Sequence, residues 1–350
     1  MPTIDADAHV IETPKTWSYM TEQEHDLRPQ IFVRDPGDGA PVRSNQRREF
    51  WVLEGRLLSK GSNIGKDVPA ESGTMEDIVR RLAHMDEIGV DVQILFPSLF
   101  LRPLTPERDT DFALARSYNR WLADIWSRAP QRLRWVAVPP LLSLADTGKI
   151  RDELAFCKEH GACGIFMRGV ECDRLLNHRH FFPLYEIAQE LDLAICLHAG
   201  INSAAYHDMF QPNSSLVTFK FPVIGAFAAL IEDEIPRRFA ALRWAFIEAS
   251  AQWVPYALGE ARIRLTGKGR RASDRMMSDN NFYVTTQRTD DLPWLLDQLG
   301  DDNLVIGTDY GHKDTATDVM ALKRMSSDGN IPAASARKIL EANPSRLYAI

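Results

Sequence analysis

The chain opens with a segment in which acidic side chains and a histidine alternate with apolar residues. This segment reads Asp5-Ala6-Asp7-Ala8-His9-Val10-Ile11-Glu12. Alternate residues of a strand share one face, so Asp5, Asp7 and His9 are expected to point the same way, at or just beyond a strand end. Carboxylate and imidazole donors on one face suit a divalent ion such as Zn²⁺, Fe²⁺ or Mn²⁺. The segment therefore predicts one part of a metal site.

Three more polar residues each come at the end of an apolar segment. His198 follows Ala194-Ile195-Cys196-Leu197, Glu248 follows Trp244-Ala245-Phe246-Ile247, and Asp309 follows Val305-Ile306-Gly307-Thr308. Each has a plainer alternative, since a histidine can be a satisfied core residue and a carboxylate can cap the following helix. Their joint occurrence favours metal binding, and we predict that all three contribute to the site.

Eight short apolar segments alternate with longer amphipathic ones along the chain. Such alternation predicts parallel strands joined by right-handed helical crossovers, and eight units favour closure into a (β/α)8 TIM barrel. No G-x-G-x-x-G motif follows the first strand, which argues against a dinucleotide-binding fold. The predicted strands span residues 3–6, 92–96, 133–138, 163–167, 194–197, 243–247, 282–285 and 304–307. The candidate ligands follow strands one, five, six and eight, and a barrel brings those ends together on one face.

Two stretches interrupt the repeat of strands and helices. Residues from about 20 to 73 form an insertion after the first strand, with a predicted hairpin at 49–58 around Glu54-Gly55, and residues 201–223 form a second insertion. Long loops on barrels often cover an active site or build a subunit interface. We therefore expect a single barrel domain over residues 1–350 with a lid or interface insertion.

The sequence resembles the amidohydrolase superfamily, in particular its amidohydrolase-related branch around aminocarboxymuconate-semialdehyde decarboxylase. The resemblance covers nearly the whole chain. It depends on the segments 5–12, Met85-Asp86-Glu87-Ile88-Gly89-Val90-Asp91, Leu197-His198-Ala199, Glu248 to Trp253-Val254-Pro255-Tyr256, Gly307-Thr308-Asp309-Tyr310 and Asn343-Pro344. It implies a metal-dependent barrel enzyme.

This chain departs from the pattern of the branch at two positions. Its decarboxylases usually carry a histidine after the sixth strand as acid or base, where this chain has Glu248. Many dinuclear members carry a carboxylated lysine after the fourth strand, where this chain has Phe166-Met167-Arg168. The first departure argues against decarboxylation, and the second means that a second metal would need another bridging ligand.

The donor inventory leads to two alternative enzymes. Asp7, His9, Glu12, His198, Glu248 and Asp309 supply two imidazoles and four carboxylates, which is typical of a dinuclear carboxylate centre. A minority of the superfamily are non-haem oxygenases with two metals, so we favour a monooxygenase with two Fe ions that hydroxylates a small carboxylic acid. The alternative is a decarboxylase or hydrolase with one Zn or Mn ion, in which Glu248 moves protons. A third class, a non-catalytic subunit that needs a homologous partner, conflicts with the intact ligand set.

Two arginines are candidates for holding the carboxylate of a substrate. Arg168 ends the fourth strand and Arg288 follows the seventh, and a guanidinium can bind a carboxylate through two parallel hydrogen bonds. A surface position is the alternative for both. His312, close after Asp309, is expected to orient the site from behind the ligands.

Composition and charge argue against two classes of partner, nucleic acids and membranes. The net charge of −7 and the absence of basic runs argue against nucleic-acid binding, and no apolar run approaches a membrane span. The four cysteines form no C-x-x-C pair, and no signal peptide precedes the first strand, so we expect a cytoplasmic protein. We also expect a homo-oligomer such as a dimer, or a hetero-oligomer with a homologue.

Overall fold

A computed structural model describes residues 2–34, 48–60, 64–203 and 216–350. Its central feature is an eight-stranded parallel sheet whose strands lie side by side in chain order, which is the order of a (β/α)8 barrel. Nearly every strand residue is buried, as expected for a parallel sheet covered by helices. The barrel strands are β1 (Ile4–Val10), β2 (Val92–Pro97), β3 (Leu133–Ala137), β4 (Ala162–Arg168), β5 (Ala194–His198), β6 (Trp244–Ile247), β7 (Phe282–Thr286) and β8 (Leu304–Ile306).

Helices connect successive strands and cover the outside of the barrel. Local signals fix their ends: Asp77 accepts a hydrogen bond from Arg80 N at the start of the first long helix, and Gly89 ends it with a φ of 75°. The main helices are α1 (Ile78–Ile88), α2 (Arg108–Arg128), α3 (Thr147–Glu159), α4 (Phe182–Glu190), α5 (Phe221–Glu232), α6 (Val254–Gly267), α7 (Leu292–Leu299) and α8 (Ala321–Ser327), followed by helical turns over 333–348.

Strand β1 is longer than the sequence predicted. Ala8, His9 and Val10 pair with Leu95, Phe96 and Pro97, so the strand continues to Val10. Asp7 and His9 therefore lie within the strand and not at its end, which corrects the predicted boundary. The register of β1 against β2 shifts between Asp5 and Ala8.

The barrel closes between its first and last strands just beyond β8. His9 N donates to Tyr310 O and Asp309 N donates to Asp7 O, each at 2.9 Å. Gly307 permits this close approach, because a Cβ atom there would lie only 2.2 Å from the Cβ of Asp7. Closure thus places two predicted metal-site segments in direct backbone contact.

The described part of the first insertion lies against the carboxyl ends of the strands. Strands Arg48–Leu53 and Arg56–Lys60 form the predicted hairpin, and Gln30–Arg34 adds a third strand that was not predicted. Ile64 bridges His312, and Arg56 donates to Leu104 O, which follows β2. The function of the insertion as a lid stays a prediction. Residues 35–47, 61–63 and 204–215, the last including His207 and Phe210 of the second insertion, lie outside the described residues.

Candidate metal centre

Strand β1 carries two potential metal ligands, Asp7 and His9, on its buried face inside the barrel. His9 is fully buried, and its Nδ1 lies 3.0 Å from Pro97 O, which can only accept a hydrogen bond. Its Nε2 therefore keeps a lone pair, and it lies 3.4 Å from one oxygen each of Asp7 and Asp309 without a hydrogen bond. This is the tautomer and orientation that a histidine ligand requires.

His198, the last residue of β5, completes the same arrangement from the other side. Its Nδ1 lies 2.8 Å from Ala199 O and its Nε2 lies 3.2 Å from Asp7 Oδ1. Burial acts to raise the pKa of Asp7, but the charge of His198 and the hydrogen bond from His198 outweigh it and lower that pKa. Burial, and then the charge of His312, lowers the pKa of His9 to about 4. Neutral His9 and ionised Asp7 are the forms that bind a cation.

Two carboxylates that follow the neighbouring strands β6 and β8 lie beside these potential ligands. Glu248 and Asp309 both adopt left-handed backbone conformations, with φ of 61° and 51°, at the points where the chain leaves β6 and β8. Both oxygens of Glu248 are buried without a hydrogen bond, although Oε2 lies 3.3 Å from Nδ1 of His198. Burial, and then the charges of Asp309 and Asp314, raises the pKa of Glu248 well above its usual value.

Asp309 is held by its own neighbours in the chain. His312 Nδ1 lies 2.9 Å from Asp309 Oδ1, and Thr317 Oγ1 donates to Asp309 Oδ2. Ser98 Oγ donates to Val10 O and therefore accepts from His312 Nε2 at 2.7 Å. This chain of contacts fixes the orientation of the Asp309 carboxylate.

The described residues contain three overlapping groups of potential metal ligands. They are Asp7 with His9 and His198, His9 with Asp309 and His312, and Glu248 with Asp309 and Asp314, and within each group the ligand atoms lie within 4.8 Å of one another. The orphaned His9 Nε2 and Glu248 oxygens fit a bound cation, since buried polar atoms otherwise require partners. Asp314 was missed from the sequence; the only signal was its place in the polar run after Asp309.

Five of the six predicted ligands come together, and Glu12 does not join them. Its two oxygens instead accept from the backbone N–H groups of Ser98 and Leu99, at 3.1 and 2.9 Å. Burial raises the pKa of Glu12 to about 7. In this structure Glu12 ties the segment after β1 to the segment after β2, and its role as a ligand stays a prediction.

A buried network of hydrogen bonds lies next to the potential ligands and connects the strands that carry them. The Asp5 carboxylate accepts from Gln93 Nε2 at 2.9 Å and from the backbone and hydroxyl of Thr308 at 2.8 and 2.6 Å. Fully buried Arg81 donates to Gln93 Oε1 at 2.7 Å and to the carbonyl of His9 at 3.2 Å. The network links β1, β2 and the end of β8, so it fixes the relative positions of the ligand-bearing strands.

The two predicted substrate-binding arginines lie in different places. Arg168 is mostly buried and lines a cavity of about 740 Å³ beside the carboxyl ends of β2–β5, where it pairs with Glu171. Arg288 is exposed and borders a separate cleft with Asp318 and Arg324. The structure does not bring the two guanidinium groups together, and substrate binding by either one stays a prediction.

Comparisons with known proteins identify the family of the chain. Residues 4–350 match the family described as Amidohydrolase. Gamma-resorcylate decarboxylase of Polaromonas sp. (strain JS666 / ATCC BAA-500) is 27% identical over 288 residues, which cover 75% of this chain and 86% of that protein. The match over almost the entire chain is the basis for assigning the family.

Two solved structures share the fold. An amidohydrolase from Mycobacterium avium subsp. paratuberculosis K-10 has a TM-score of 0.79 at 16% identity and covers 100% of this chain and 98% of its own. A dihydroxybenzoic acid decarboxylase from Polaromonas sp. JS666, solved with bound manganese and the inhibitor 2-nitroresorcinol, has a TM-score of 0.67 at 19% identity and covers 99% and 97%. No helix among the described residues is both long and apolar enough to cross a bilayer.

Proposed function

We propose that this chain, which belongs to the amidohydrolase family and is a metal-dependent enzyme, is a decarboxylase of a small carboxylic acid that uses one divalent ion, manganese or zinc. The observation that carries the proposal is the site itself. Asp7, His9 and His198 form one buried group of potential ligands, Asp309 lies 3.4 Å from His9 Nε2, and the carboxyl group of Glu248 lies beside them without a hydrogen bond. The curated relative favours this function over the dinuclear iron oxygenase, the other function predicted from the sequence.

Each residue has a defined task in the proposed reaction. Asp7, His9, His198 and Asp309 would hold the metal, which when bound would supply Lewis-acid polarisation of the substrate. Glu248 is buried among carboxylates that favour its protonated form, and it donates its proton to the carbon that bears the carboxylate. The carbon–carbon bond then breaks, its electron pair stays with that carbon, and CO₂ leaves. The next solvent proton restores Glu248, so the reaction consumes one proton and needs no oxidant.

This scheme accounts for the replacement of the family histidine by Glu248. A carboxyl group with a strongly raised pKa can act as an acid near neutral pH, as a histidine does. Glu248 can therefore take the acid role of that histidine, and its presence after the sixth strand is compatible with decarboxylation. The dimer or hetero-oligomer predicted from the sequence stays a prediction.

The experiment supplies the manganese- or zinc-loaded protein with dihydroxybenzoic acids and measures CO₂ and dissolved oxygen together. We expect one CO₂ per acid consumed and no uptake of oxygen. Metal analysis of the same sample should give one ion per chain. Oxygen consumption with a hydroxylated product and two irons per chain would contradict the proposal and favour the oxygenase.

A further inference from the structure

The cavity beside the carboxyl ends of β2–β5 has an apolar lining and a volume of about 740 Å³. Phe100, Leu104, Leu114, Leu141, Leu142 and Phe166 form much of its wall. This size and composition are typical of pockets for small organic ligands. Phe166 also contacts the metal centre, since its ring centroid lies 6.2 Å from that of His198. The cavity is therefore a neighbour of the metal site.

Four arginines line this cavity, and three of them are engaged by the protein. Arg168 pairs with Glu171 and donates to Phe100 O at 3.0 Å. Arg56 pairs with Glu54 at 3.2 Å, and Arg174 donates to Cys172 O at 2.6 Å. Arg56 and Arg168 thus pair with carboxylates of the protein, and Arg174 has a backbone carbonyl as its partner.

Arg102 differs from the other three. It follows the short helical turn Leu99–Leu101 after β2 and is partly buried. Within the described part of the chain its side chain makes no hydrogen bond or ion pair, and its buried Nε has no partner. Burial lowers its pKa, and no neighbouring charge offsets this effect. A guanidinium stays charged in a protein, so its burial without an anion is unfavourable.

From this unpaired guanidinium and the apolar space around it, we infer that the cavity binds a small organic monoanion through Arg102, an aromatic or aliphatic carboxylate. A carboxylate matches the two-pronged geometry of the guanidinium, and the hydrocarbon part of the ligand fits the apolar wall. The inference stands whether or not the metal centre decarboxylates its substrate.

The charge of the cavity lining favours a single negative charge on the ligand. Four arginines face three acidic residues, Asp111, Glu171 and Asp173. Glu171 is neutralised by Arg168, and burial raises the pKa of Asp111 to about 7. Glu54, outside the cavity, offsets Arg56, and the charge of Asp173 equals that of Arg174. The charge that remains is that of Arg102, which one carboxylate balances.

The test compares benzoate with its neutral isostere benzamide by calorimetric titration of the metal-loaded protein. Wild type should bind benzoate at least about 10-fold more tightly, which corresponds to about 1.4 kcal/mol. Arg102→Gln should remove this preference, Arg102→Lys should keep part of it, and Arg174→Gln, on the same cavity wall, should keep all of it. Equal binding of the two probes by wild type, or an unchanged preference in Arg102→Gln, would overturn the inference.

Thermal unfolding separates a ligand-binding arginine from a structural one. Because the Arg102 guanidinium makes no hydrogen bond or ion pair with the described residues, Arg102→Gln should melt at the same temperature as wild type or higher. Added benzoate should raise the melting temperature of wild type and leave that of Arg102→Gln unchanged. A lower melting temperature for the unliganded variant would assign Arg102 to the fold and count against the inference.

Discussion

The two halves of the barrel mouth carry opposite kinds of unsatisfied charge. On the half formed by β1, β5, β6 and β8, carboxylate oxygens and imidazole nitrogens are buried with too few donors, as in Glu248 and His9. On the side formed by β2, β3 and β4, the described groups without a partner are the guanidinium of Arg102 and Nε of Arg168. The first half is suited to a cation and the second to an anion. Groups that a fold leaves unpaired thus indicate what each half binds.

The largest expected effect is the loss of the cation from the first half. His198→Ala removes an imidazole whose Nε2 faces Asp7 at 3.2 Å. We expect it to lose most bound metal and all measurable activity, as seen by elemental analysis and by CO₂ release. His25→Ala, on the exposed surface, is the matched control and should keep both. Full metal content and turnover in His198→Ala would show that the centre lies elsewhere.

Glu248→Gln separates proton transfer from metal binding. If Glu248 is the acid of a mononuclear centre, the variant should keep one metal per chain and lose about 10²–10⁴-fold in kcat. Metal stoichiometry and kcat of both proteins, measured side by side, check this expectation. Two metals in wild type and one in the variant would instead show that Glu248 is a ligand of a second ion.

Replacement of Arg81 tests whether the stability of the protein depends on the buried hydrogen-bond network beside the candidate metal centre. Arg81→Met leaves Gln93 Oε1 and the carbonyl of His9 without their donor. We expect a loss of about 3–5 kcal/mol in the free energy of unfolding, measured with denaturant. Arg80→Met changes the exposed neighbour that pairs with Glu87 and should cost less than about 1 kcal/mol. Equal losses in the two variants would mean that the network contributes little.

The smallest effect is expected on the pH dependence of stability, from Asp111 in the wall of the cavity beside β2–β5. Burial raises its pKa from 3.8 to about 7, so the folded state holds a proton that the unfolded state releases. The stability contributed by this group is complete below pH 3.8 and is lost as the pH rises toward 7. Asp111→Asn should therefore be more stable than wild type at pH 8, and should lose that advantage near pH 4. Denaturant unfolding at the two pH values checks the sign.

The sequence predicted the strands well because each is a short apolar run between turn residues. It also identified residues that come together in one buried cluster, since polar side chains that follow barrel strands meet at the same end of the barrel. Metal binding by these residues stays a prediction. Glu12 shows the limit of this reasoning. Its two oxygens are taken by backbone N–H groups of Ser98 and Leu99, which lie 86 and 87 residues away in the chain.

Asp314, Arg81 and Arg102 could not be predicted for a related reason. Their roles depend on what surrounds them in three dimensions and not on a local pattern. Arg81 looks like any helix arginine beside Arg80, yet one is buried and the other exposed. Arg102 stands out only because its neighbours in space do not neutralise it.

The contact between β1 and the segment after β8 joins the two ends of the polypeptide chain. Asp5 and Thr308 are 303 residues apart in the chain, and the proposed ligands Asp7, His9 and Asp309 come from the same two segments. An ion shared by them would act as a reversible cross-link that closes a loop of nearly the whole chain. Closing so long a loop removes much conformational entropy from the unfolded ensemble. The ion would therefore stabilise the fold by linking the two ends of the polypeptide, in addition to its role in catalysis.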